Sequence, residues 1–79
     1  IDNVDVKKFV RVEYNDKAEA KAEVEKIFGV SEIMEFFGMD NEFAFVTNKA
    51  KEGEINSKLN ELINCEGIVS ILNTIRIEG

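Results

Sequence analysis

The apolar residues of this chain repeat their spacing at an offset of 35 positions, and no other feature constrains the fold as tightly. Ala20, Val24, Ile27 and Phe28 fall at i, i+4, i+7 and i+8, the spacing of one face of an amphipathic helix. Ile55, Leu59, Leu62 and Ile63 reproduce that spacing in the second half. The same shift carries Val10 onto Phe45, Met34 onto Val69 and Phe36 onto Ile71. Each half therefore reads as strand, helix, strand. Joined, the halves predict an α+β fold, the ferredoxin-like βαββαβ plait, with a four-stranded antiparallel sheet and two helices on one face.

Local chemistry marks the boundaries. The spacing predicts helices over 17–28 and 51–65. Asp16 and Glu19 form a D-x-x-E capping pattern at the start of the first helix. Gly29 reads as its stop, and Gly67 as the stop after the second helix, both through the left-handed conformation that glycine adopts cheaply. Gly38 to Glu42 reads as the hairpin turn between the halves. Asn48 is the candidate cap of the second helix, and Gly53 weakens its first turn.

Strand alternation assigns a face to each side chain. Val10, Val12, Tyr14, Met34, Phe36, Phe43, Phe45, Val69, Ile71, Ile75 and Ile77 are expected to meet the helices. Phe9, Ile33, Phe37, Ala44, Val46, Ile68 and Leu72 are then left on the opposite face. Both helices of a plait cover one side of the sheet, so this second apolar face needs a partner. A homodimer, by edge pairing or by face packing, is the expectation.

A chain of 79 residues makes one domain, and at this length only about 60% of the unfolded surface is buried. A catalytic cleft between domains does not fit that size. The net charge of −6 speaks against nucleic acid, since the ten basic residues are interleaved with a larger number of acids. No apolar run suits a membrane span or a signal peptide, and a single cysteine fits a reducing, cytoplasmic setting. There is no histidine, so Cys65 lacks a base to activate it and reads as a packing residue. Neighbouring acids such as Glu52 with Glu54, and Glu23 with Glu25, read as solvated helix faces. No metal set is expected from these residue types. The C-x-x-C of metal chaperones, the several cysteines of ferredoxins, the arginine-bearing loop of acylphosphatases and the basic, aromatic strands of RNA-recognition motifs are all missing.

Two stretches carry a family resemblance. Val46-Thr47-Asn48-Lys49-Ala50-Lys51-Glu52, followed by Asn56, Leu59 and Leu62 and by the ending Ile75-Arg76-Ile77-Glu78-Gly79, resembles the end of bacterial homoserine dehydrogenases. Asp16 to Gly29 lies without gaps on that family's D-K-P-G-V-L-A-x-I-x-x-I-F-G. The resemblance spans residues 8–79. It implies a C-terminal ACT domain, the regulatory module of an NAD(P)-dependent enzyme on the threonine and methionine branch of amino-acid biosynthesis. It also implies that the dinucleotide fold and the catalytic residues lie in a preceding catalytic domain of the same parent chain. This chain would then hold no cofactor. Ile1 in place of Met fits excision from something longer, with residues 1–7 as a tether remnant.

The same resemblance places a candidate effector site at Asn15, Asp16, Lys17, Ala18 and Glu19, where D-x-P-G lets backbone amides approach a small amino acid such as threonine. A helix N-terminus offers free N–H groups and positive potential to a carboxylate. Here Ala18 replaces the proline and Glu19 the glycine. Glu19 adds bulk and negative charge, so weak or no threonine binding is expected, and an ordinary capped helix start is the competing reading. Asn48 stands where the family has a histidine. Arg76 matches the family's terminal arginine and is expected to pair with an acid on a neighbouring strand. Two further readings stay open: an oligomerisation module whose effector site has decayed, and a stand-alone amino-acid sensor that binds another protein. An initiator methionine just before Ile1 would favour the sensor.

Overall fold

A computed structural model of the chain describes residues 5–36, 38 and 41–77. Their order is β1 (Asp5–Tyr14), α1 (Lys17–Phe28), β2 (Met34–Glu35), β3 (Glu42–Val46), β4 (Ala50–Lys51), α2 (Glu52–Ile63) and β5 (Ile68–Ile77). All pairings are antiparallel. β1 lies between β3 and β5, and β2 closes the far side of β3. This is the α+β architecture of a ferredoxin-like plait.

The fifth strand is a continuation of an expected one. Phe9 faces Val46, so an unbroken ladder would bring Val6 to Lys49; Val6 instead faces Ala50. One extra residue at the Thr47–Lys49 break is a bulge, after which the chain resumes pairing with β1 as β4. Thr47 secures the break. Its N–H donates to the Lys8 carbonyl and its Oγ1 accepts from the Lys8 N–H, both at 2.9 Å.

Both helices cover one side of the sheet. Ala20, Val24 and Phe28 of α1 and Ile55, Leu59 and Leu62 of α2 share a core with Val6, Val10, Val12, Phe43, Phe45 and Ile68. α1 forms where the spacing predicted it. Asp16 caps its start, and Gly29 ends it at φ 70°, with the Gly29 N–H donating to the Glu25 carbonyl. α2 runs Glu52–Ile63, shorter than expected at both ends. Val6 is 3% exposed, so β1 draws residues 5–7 of the expected tether into the domain.

The face assignments hold for β1 and β3 and fail in β5 for a physical reason. Arg11 faces Asn73 while Val12 faces Ile71, and Glu13 faces Ser70 while Tyr14 faces Ile68. Leu72 and Val69 are thus extra residues at two register shifts, and each bulge inverts the alternation beyond it. Ile68, expected outside, is buried in the core, and Ile71 packs against it. Val69 and Ile75, expected inside, are 51% and 50% exposed. Ile77 faces Lys7 on the side away from the helices. In β2, Met34 faces Ala44 and turns outward, Glu35 faces Phe43, and Ile33 packs against the core. Phe36, also expected inside, has its ring under the Arg11 guanidinium on the outer face. Phe37 lies outside the described residues, as do Met39 and Asp40 of the expected hairpin turn.

Candidate functional site

The turn from β1 into α1 holds the five sequence-selected residues Asn15, Asp16, Lys17, Ala18 and Glu19 together, all exposed. Asp16 is extended, at φ −138° and ψ 110°, which aims its carboxylate back at the first turn. Its Oδ1 accepts from the Glu19 N–H at 3.1 Å, and its backbone carbonyl accepts from the Ala20 N–H at 2.9 Å. One first-turn amide that a ligand carboxylate would seek, that of Glu19, is therefore occupied by the chain itself, while the Ala20 bond is the ordinary first hydrogen bond of the helix. Lys17 Nζ donates to Glu35 Oε1, and that hydrogen bond raises the lysine above its ordinary pKa.

The turn is fastened to the loop between α2 and β5. The Asn15 N–H donates to the Gly67 carbonyl at 3.1 Å, and Asn15 Nδ2 donates to the Glu66 carbonyl at 3.0 Å. Gly67 sits hard against the start of α1. A Cβ added to it would lie 3.0 Å from the Ala20 nitrogen and 3.1 Å from Glu19 Cβ and Cγ. The glycine that permits close backbone approach at this helix start is thus Gly67, from the other half of the chain. Its φ is not positive, so its expected role as a left-handed helix stop is replaced by one of space. Nothing in the local sequence signals that, because the neighbours are 47 and 48 residues away.

Charge makes the turn poor for an anion. Asp16 and Glu19 lie on it, Glu66 lies beside it, and its one lysine is already engaged by Glu35. An incoming carboxylate meets like charge on two sides.

A hollow lies at the other end of α1. It is an open depression of about 420 Å³ lined by Gly29, Val30, Ser31, Glu32, Ile33, Met34, Val46 and Asn48. Asn48 does not cap α2, as the sequence suggested. Its Nδ2 donates to the Phe28 carbonyl at 3.3 Å, closing the C-terminus of α1. The α2 start, with Lys51 in the cap position, has no side-chain cap.

Beneath α2 lies a polar cluster that the sequence did not reveal. Lys8, buried on the helix side of β1, donates from Nζ to Asn56 Oδ1 at 3.0 Å and lies 3.5 Å from Glu52 Oε2. Arg76 faces Lys8 across the strands and reaches Glu52 Oε1 at 3.8 Å. Its acidic partner thus comes from α2 and not, as expected, from a strand. The alternation of β1 places Lys8 inward, but its partners are 44 and 48 positions away in sequence. Cys65 is half-buried with Sγ 3.4 Å from the Glu61 carbonyl, and burial together with nearby Glu23 pushes its thiol pKa upward. A raised thiol is a poor nucleophile. Among the described residues no three His, Cys, Asp or Glu side chains are grouped to hold a metal. No helix among them is long and apolar enough to cross a membrane.

Comparison with known proteins gave no match to any family model and none to a curated protein.

Proposed function

We propose that this chain is a regulatory ACT domain of a homoserine dehydrogenase, working in the cytoplasm as a homodimerising module beside a catalytic domain. The observation that carries the reading is that the resemblance and the architecture divide the chain at the same points. The stretch resembling D-K-P-G…I-F-G is a capped helix ending on Gly29. The stretch resembling V-T-H-x-A-x-E crosses the β3 break and opens α2. The resembling end, from Ile75, completes β5 beside β1. In this reading NAD(P) and the catalytic residues belong to the parent chain, and the contribution of residues 8–79 is assembly and control.

A second reading, an oligomerisation module whose effector site has closed, draws on the site itself. Asp16 fills the helix start, Gly67 packs on it and Glu19 lies across it. Both readings make the same demand of the parent protein. Its coding region should place a dinucleotide-binding fold before this segment, and the purified parent should oxidise homoserine with NAD(P). Deleting residues 8–79 should change its assembly and leave the chemistry in place. A parent with no dinucleotide fold, or an inactive one, would refute both and favour the stand-alone sensor.

A further inference from the structure

We infer that the sheet face opposite the helices is the surface on which a second copy of this chain docks, face against face, with neither sheet edge as the contact. The inference rests on the self-association in the proposed function and specifies its surface. Antiparallel partners share a face. The outer face therefore collects Phe9, Val46 and Ile75 in one row and Met34 in the next, beside the fully buried Ala44, with Phe36 and Ile77 alongside. Met34 is 43% exposed and Ile75 is 50% exposed.

Three observations select the occupant and the geometry. The first is charge. Asp5, Lys7, Arg11, Glu13, Glu42 and Lys51 lie on this face by register, three cations against three anions. The chain as a whole carries −6, whereas the described charges of this face sum to zero. Two copies therefore meet across this face without net charge repulsion between its described residues. The second is area. The molecule measures 35 by 24 by 19 Å, and its short axis matches one helix layer on one sheet. The broad face is then close to the ~800 Å² per partner that standard interfaces bury. The third is the condition of the edges. β2 is two residues long, and β5 carries register shifts at Val69 and Leu72 that break the straight ladder an added strand would need.

Ile75 and Met34 lie on opposite sides of the face, on β5 and β2, and both are exposed enough to change without opening the core. Sedimentation equilibrium on the wild type, Ile75→Lys and Met34→Lys, with circular dichroism to confirm folding, separates the possibilities. Each lysine also lowers the net negative charge of the chain, so weaker association cannot come from greater repulsion between the chains as wholes and must arise at the substituted surface. The expected result is a wild-type dimer at high micromolar concentration, with each substitution weakening it tenfold or more. Weakening by Ile75→Lys alone would assign the contact to the β5 edge and overturn the face. A dimer indifferent to both would overturn it as well, leaving self-association intact. A wild type that stays monomeric at that concentration would overturn self-association and the face together, and leave the apolar surface to a different polypeptide.

Discussion

Asp16 and Gly67 decide what the start of α1 is available for. Because the Asp16 carboxylate holds the Glu19 N–H, Asp16→Ala should cost about 1 kcal/mol, the usual worth of an N-cap. Urea denaturation would show it as a lower midpoint with an unchanged slope. Gly67→Ala should cost more, about 1–3 kcal/mol, the typical range for overpacking. The obstructing atom nearest the new methyl is the Ala20 backbone nitrogen, which cannot rotate away. A stable Gly67→Ala protein would mean that the helix start is loosely seated and open to a ligand. Cys65 carries a pH expectation. Its folded pKa is raised by burial, so the neutral thiol is favoured in the folded state. The associated stability is complete below the unfolded pKa and is lost as pH rises through the folded one. At mildly alkaline pH, iodoacetamide should alkylate the folded chain more slowly than the urea-unfolded chain, and equal rates would contradict the shielding.

The elements show which local rules could be read from the sequence and which could not. The bounds of α1 follow from a capping pattern, a period of 3.6 and a terminal glycine, all short-range signals between Asp16 and Gly29. The inner faces of β1 and β3 follow from alternation alone, and Val10, Val12, Phe43 and Phe45 are all fully buried. β5 defeats the same rule because the unpaired Val69 and Leu72 invert it, and a bulge is set by the partner strand rather than by composition. The role of Asn48 is not legible locally because its acceptor, the Phe28 carbonyl, is 20 residues away. In the candidate site the capping role of Asp16 was legible, while the seat of Gly67 was not. One consequence concerns α2, whose start lacks a side-chain cap. Lys51→Ser should add about 0.5–1 kcal/mol by supplying an acceptor to the first turn. A neutral or destabilising result would show that the lysine packs or pairs in a way that matters more.

The molecule as a whole carries −6, while the described charges of the outer sheet face balance. Added salt screens the general repulsion and takes little from a neutral contact. Association should therefore strengthen between low and moderate ionic strength, and sedimentation showing the opposite trend would point to a contact held by unlike charges. Regulation by an amino acid asks something different of the molecule: an opening at the start of α1, where Asp16, Glu19 and Gly67 leave no ready space. The most direct test is calorimetric titration of the chain with threonine, run beside Glu19→Gly. The expected result is that the wild type binds no better than about 1 mM, while Glu19→Gly gains roughly tenfold, or about 1.4 kcal/mol. Tight binding by the wild type that Glu19→Gly leaves unchanged or weakens would contradict it, and would show that the β1–α1 turn is a working effector site in its present form.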